Sequence, residues 1–523
     1  MPEQFRALIV VLVLATAVLM VARPSLCPET MSGDDFSRRR NLWLAITLTA
    51  FAASNFWIYI VVTAALLLFA LPREANRIAM YFFLLLAVPP IDADISGLGV
   101  IKHFFSIDYL RLLALAVLLP TFLSLRAEPE TLKFGRIWPD RLLLAYLVLQ
   151  FILMLTVSTV TNSLRIGVFY AFIDVFLPYY VASRGLKNLP ALREALASFV
   201  VAALILSAIG AFEFVFHWLL YASLPNALGT FWGYGYYLAR GESLRAVGPT
   251  GQSIVVGYLV VVALGFLLAL RKSLTPAVWK LGWCVLLIGL VAPVSRGPWI
   301  GMVALIVVFA AMGPAPGKML SLIVIAGLLS IPVLLVVPGG NEVIDRLPFI
   351  GSVDSENVTY RQRLFQISLQ VVMQHPLFGA FDYFYSPAMQ ELKQGSTGFI
   401  DLVNSYAGIA LSSGLVGLSL FLSIFISIGA QIFKAFRRQT DRDSEMRLMG
   451  RALLGTLIAV LVIIFTVSSI TFIPVVYWAL AGLGVAYAYM LAPEKAAARA
   501  TAPSGPSTGF EPAALRTSWN QGR

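Results

Sequence analysis

Apolar runs of membrane-spanning length recur from one end of this 523-residue chain to the other, and that recurrence decides the fold class. They lie near 7–22, 42–71, 78–90, 109–125, 142–160, 165–182, 195–219, 252–270, 281–294, 298–313, 319–337, 404–432, 452–470 and 473–491. A helix needs about 17–25 apolar residues to cross hydrocarbon, and a helix satisfies its own backbone groups where water is absent. With 59% hydrophobic and 12% charged residues, the chain holds half the usual charged share and cannot cover a soluble surface. The expectation is an all-α polytopic transmembrane bundle of about 12–15 spans. The run 42–71 is either one tilted span or a hairpin of two short helices.

The formal charge of +11 does not point to nucleic acid, because the cations sit in short loops between apolar runs. Loop 126–141 carries Arg126, Lys133, Arg136 and Arg141, loop 183–194 carries Arg184, Lys187 and Arg193, and loop 271–280 carries Arg271, Lys272 and Lys280. Loop 433–451 carries Lys434, Arg437, Arg438, Arg442, Arg447 and Arg451. Alternate counting of the spans puts all four on one side, the expected cytoplasmic one. The two cysteines, Cys27 and Cys284, have no metal-ligand spacing.

Four regions follow: N-terminal spans over 1–240, a central region over 241–432, C-terminal spans over 433–491, and a tail over 492–523 whose Ala, Pro, Ser, Gly and Thr content reads as disordered. The central region contains the one long loop, 338–403, with seven acidic and four basic residues. Its stretch Tyr360–Met373 has helical periodicity, with Phe365, Leu369, Val372 and Met373 on one face and Arg363, Gln366 and Gln370 opposite. An amphipathic helix at the outer surface or over a cavity fits that pattern.

The residues able to do chemistry cluster on the side away from the basic loops. Arg245 precedes a span, and Arg296 lies in a turn with almost no loop between two spans. Arginine at membrane depth needs a partner; each either snorkels to headgroups or forms forked hydrogen bonds to phosphate oxygens. Arg361 and Arg363 open the amphipathic helix, and two residues apart they cannot share one face. His375 precedes Pro376 at the helix end, as a structural or a catalytic group. Asp401 and Asn404 are three apart at the start of a span, and act either as a helix cap or as a base with an orienting amide. The aromatic cluster around Trp232, Tyr234 and Tyr236 reads as an interfacial belt or a sugar-stacking surface. Asp174 and Glu213 are acids within spans, suited to a proton relay or a structural pair. No phosphate-binding glycine loop, no H-E-x-x-H and no Cys/His metal cluster is present in the sequence.

Taken in order, three segments resemble the O-antigen ligase and O-antigen polymerase family of integral membrane glycosyltransferases. They are Arg245-Ala246-Val247-Gly248 before a span, Ser295-Arg296-Gly297 before another, and the long outer loop with Pro376-Leu377-Phe378-Gly379 followed by Asn404-Ser405-Tyr406 and Gly414-Leu415-Val416-Gly417. The resemblance implies an undecaprenyl-diphosphate-linked glycan as donor, a multi-pass location in the bacterial inner membrane, an active site facing the periplasm, and no cofactor or metal. It implies diphosphate binding by Arg245, Arg296, Arg361 and Arg363, with Asp401, His375 and Asn404 as the catalytic candidates. A chain-length co-polymerase is a further candidate partner, beside membrane lipids. Many ligases of the family have His directly before the Asn of the third motif; here it is Val403, which tips the expectation towards polymerisation of repeat units. The alternatives are a ligase acting on a lipid A-core sugar and, in another class, a transporter of the same lipid-linked glycan.

Overall fold

The computed structural model describes the chain apart from residues 98, 100–102, 231–238, 241–242, 337–354, 394–399, 442 and 493–523, and its side chains apart also from 239–240, 243, 330–336 and 355–358. The principal helices are α1 (Glu3–Leu26), α2 (Gly33–Ala52), α3 (Phe56–Ala70), α4 (Arg77–Leu84), α5 (Tyr109–Ala127), α6 (Trp138–Val157), α7 (Val160–Gly185) and α8 (Leu189–Phe216). They continue with α9 (Ser253–Ala269), α10 (Pro276–Val291), α11 (Arg296–Ala311), α12 (Pro316–Val336), α13 (Ser355–Gln374), α14 (Ser405–Arg437), α15 (Glu445–Ile464) and α16 (Phe472–Met490). Among the described residues ten helices are long and apolar enough to cross a membrane, and α10, α11 and Pro316–Leu329 of α12 are shorter apolar helices. The protein is therefore a polytopic helical bundle. Its one larger strand pair, β1 (Ala93–Ser96) with β2 (His103–Ile107), is an antiparallel hairpin.

The run 42–71 divides into α2 and α3. The break falls where the Asn55 side chain accepts a hydrogen bond from the Ile58 amide at 2.9 Å and caps α3. Helices α9 and α16 are the most enclosed, and α9 packs against α8, α10, α11 and α15. Small residues set these contacts: a β-carbon on Gly257 would lie 2.6 Å from Pro298 of α11, and one on Gly301 2.3 Å from Ile463 of α15.

The bundle has two unlike ends. At the basic end Arg39, fully buried, binds Glu194 at 2.6 Å and Glu74, while Arg184 binds Asp140 and Arg193 binds Glu445 at 2.6 Å. The other end carries the β hairpin, the segments 217–221 and 244–251, the 293–296 turn and a cap formed by 360–393 with 400–403. Trp218 of that end donates to Glu3 at 3.1 Å, which brings the start of α1 to it.

The cap has its own small core: Leu364, Ile367, Val371 and Val372 of α13 meet Tyr383, Met389, Leu392 and Ile400 and close onto Ala410 and Leu411 of α14. The packed face differs from the one expected. Only Val372 of the anticipated four is buried, whereas Phe365, Leu369 and Met373 are exposed. The apolar arc of α13 is wide enough for two stripes, and the 364-367-371 stripe is the one that meets α14.

The cap is mounted by backbone contact. At Gly414 helix α14 breaks, with φ 64° and ψ −167°, and Gly379 has φ 67°. The amide of Ala380 donates to the Leu411 carbonyl at 2.8 Å, and the Leu415 and Val416 amides donate to Pro376 and Leu377 at 2.8 and 3.1 Å. A β-carbon at Gly379 would sit 2.4 Å from the Leu411 oxygen, and one at Gly414 2.3 Å from the Leu377 oxygen. Both positions need glycine for conformation and for space.

Candidate functional site

Arg245 is placed by backbone pairing. The Ala246 amide donates to the Ala292 carbonyl at 3.2 Å, and Arg245 Nε donates to the Pro293 carbonyl at 3.1 Å. The segment 245–248 is thus laid along the turn that carries Arg296. That turn is anchored from the other side, since a β-carbon on Gly297 would lie 2.2 Å from Thr466 Oγ1. Both arginines are half-buried. Val294, two residues before Arg296, has φ 47°, a conformation that costs a β-branched residue about 1–3 kcal/mol.

A buried acid fixes the first of these segments. Glu213, at the end of α8, is wholly inaccessible, and its carboxylate accepts hydrogen bonds from the amides of Leu220 at 3.0 Å, Val247 at 2.9 Å and Gly248 at 2.8 Å. Of the two expectations for this residue, a structural role matches the geometry, with backbone amides in place of a cation. Asp174, the other acid within a span, pairs with Arg111 at 3.2 Å.

Arg361 projects from α13 into a cavity of about 440 Å³ whose wall includes Gln362, Phe365, Val403, Asn404 and Thr466. Burial lowers the pKa of its guanidinium, Asp401 opposes that shift, and Arg296 adds to it. The three charges therefore share one electrostatic field. Asp401 Oδ1 accepts from Ser468 Oγ at 2.9 Å and from the Val403 amide at 3.2 Å, and Tyr360 donates to its carbonyl at 2.9 Å. Asn404 caps α14, its Oδ1 accepting from the Tyr406 and Ala407 amides at 2.9 and 3.2 Å. The residue also lines the cavity. Val403, between them, has φ 39°, so two β-branched residues in the left-handed region flank this site, as strained backbone commonly does at functional centres.

The other expected site residues lie elsewhere. Arg363 points out of the cavity into an exposed pair with Glu391 at 3.1 Å. His375 is exposed at the C-terminal end of α13. Trp232, Tyr234 and Tyr236 fall outside the described residues. Thr466, Ser468 and Tyr360 were not singled out from sequence; the polar run Thr466-Val467-Ser468-Ser469 at the end of an apolar helix was the available signal. Among the described residues the single carboxylate cluster with metal-like spacing, Asp35, Glu74 and Glu194, is at the basic end and is engaged by Arg38 and Arg39.

The arrangement offers one guanidinium, Arg361, and Asn404 on the wall of a largely apolar cavity, with Arg296 and Asp401 acting on Arg361 from neighbouring segments. That suits a ligand with a multiply charged anionic head and an apolar body. Residues 281–422 match the family model described as O-antigen ligase. The matched segment takes in Arg296, the cap and the break at Gly414, and leaves Arg245 outside. No curated protein matches the chain.

Proposed function

We propose, from the O-antigen ligase/polymerase family that the match over 281–422 supports, that this membrane protein polymerises undecaprenyl-diphosphate-linked oligosaccharide repeats. The basic end is the cytoplasmic one by the distribution of Lys and Arg, so the candidate site opens on the periplasmic side of the inner membrane. A hydroxyl of the acceptor repeat attacks the anomeric carbon of the donor glycan. The new glycosidic bond forms as the bond to the diphosphate breaks, and undecaprenyl diphosphate leaves with the electron pair. Charge grows on the diphosphate oxygens in the transition state. Arg296 and Arg361, with Arg245 beside them, stabilise it where preplaced cations do most, in a partly desolvated site.

Asp401 is the carboxylate in position to take the hydroxyl proton, and Asn404 to orient the sugar. No metal takes part in this scheme, since the guanidinium groups carry out the charge stabilisation; a chelator should leave the rate unchanged. The observation that carries the reading is the cavity shared by Arg361, Asn404 and Thr466, with Gly297, the neighbour of Arg296, packed against Thr466. Ligation to a lipid A-core sugar is favoured by the description of the matching family, and Val403 in place of histidine favours polymerisation.

The test uses purified protein with lipid-linked repeat units. Lengthening of the glycan supports the proposal. Transfer only to a lipid A-core acceptor supports the ligase reading, and movement between leaflets without new glycosidic bonds identifies a transporter. Arg296→Ala should abolish product while the protein still inserts. Arg296→Lys should also be impaired, because a point charge does not reproduce the fork. Full activity in both would remove Arg296 from the mechanism.

A further inference from the structure

A second cationic cavity lies at the opposite, basic end, and the scheme above makes no use of it. It has a volume of about 180 Å³ and is lined by Met312, Gly313, Pro314, Arg447 and Arg451. Arg447 and Arg451 are one turn apart on α15 and so lie on one face, where like charges repel unless an anion stands between them. Arg271 and Arg447 both act on Arg451 as like charges.

Three buried or half-buried arginines of this end have acids. Arg193 engages Glu445, Arg184 engages Asp140, and Arg39 engages Glu74 and Glu194. Among the described residues no carboxylate pairs with Arg271, Arg447 or Arg451. Arg447 Nη1 donates to the Gln439 carbonyl at 3.1 Å. Arg451 Nη2 donates to the Phe309 carbonyl at 2.8 Å, and its guanidinium lies 4.3 Å from the centre of the Phe309 ring. Arg451 Nε is buried and has no hydrogen-bond acceptor. An anion in the adjoining cavity would remove the repulsion between the two guanidinium groups.

We infer that Arg447 and Arg451 form a binding site for a phosphate group at the basic end of the bundle. The group is either the headgroup phosphate of an anionic lipid or a free phosphate. The position suits the first, because Arg271 stacks on Trp279 beside it, an aromatic–cation pair of the kind found at the lipid–water boundary.

The test takes the full chain in phosphatidylcholine nanodiscs and follows its thermal midpoint. One arm adds phosphatidylglycerol to the nanodiscs; the other titrates inorganic phosphate against chloride at matched ionic strength. A rise in the first arm alone assigns a lipid headgroup, and a rise in both assigns a site open to free phosphate. In either case Arg447→Gln and Arg451→Gln should each weaken binding roughly fivefold, and together roughly thirtyfold. Arg447→Gln leaves the Arg451–Phe309 bond in place, so its effect is not a folding defect of the α11 end. A midpoint that rises in neither arm, or one that rises equally in both variants, overturns the site.

Discussion

Replacing Glu213 by glutamine keeps the shape of the side chain and removes one of its two acceptor atoms. Three amides point at the carboxylate at 2.8–3.0 Å. One glutamine oxygen can serve the Val247 and Gly248 pair, and the Leu220 amide then faces an NH2 group. The unsatisfied amide costs ~1–3 kcal/mol, and the two surviving bonds, no longer charge-assisted, each weaken by ~1 kcal/mol. Relief from burying a charge offsets part of this, leaving a net loss of ~2–3 kcal/mol, or roughly 30- to 150-fold in an equilibrium. That loss falls on the segment that sets Arg245 against Pro293. The rate of glycan extension should fall by up to that factor while insertion in the membrane persists. The informative assay is a double-mutant cycle with Arg245→Ala. If Glu213 acts through Arg245, the double variant is no slower than Arg245→Ala alone, within about threefold. Losses that multiply, or full activity in Glu213→Gln, would refute the reasoning.

Arg361→Ala should lose most activity and Arg363→Ala little, since the Arg363–Glu391 pair is exposed on both sides and such pairs contribute about 0–1 kcal/mol; equal losses in the rate assay would count against the cavity as the site. Asp401→Asn should slow extension by less than about 100-fold, the lower bound for removal of a general base, because a diphosphate is a good leaving group; complete loss would make Asp401 essential to proton removal. Gly414→Ala should release the cap, since both its φ and the 2.3 Å approach to Leu377 exclude a side chain; faster protease cleavage between 375 and 403 in the folded bundle is the expected readout, and unchanged cleavage would show that the mount tolerates the methyl group.

Hydropathy made the bundle legible, because each span repeats one simple requirement. The turn at Arg296 was legible for the same reason: a cation with almost no loop around it stands out against apolar neighbours. Asn55 shows the next level, a cap residue that signals the break between α2 and α3 but does not by itself choose between one tilted helix and two. The stripe of α13 that packs could not be read, because two adjacent stripes are apolar and only the position of α14 distinguishes them. The partners of Glu213 were equally hidden, since backbone amides 7, 34 and 35 residues away leave no side-chain signature. The same holds for the crossing of Gly379 and Gly414, where a glycine inside an apolar run breaks α14 and lets two backbones meet.

A joint made of main-chain atoms depends on residue identity only where a side chain must be absent, at Gly379 and Gly414. The segment 376–380 grips α14 through carbonyls and amides alone, so the cap can exchange its outward-facing residues without loosening its seat. Variation in what the cap meets outside the membrane is thereby uncoupled from the placement of Arg361 within it.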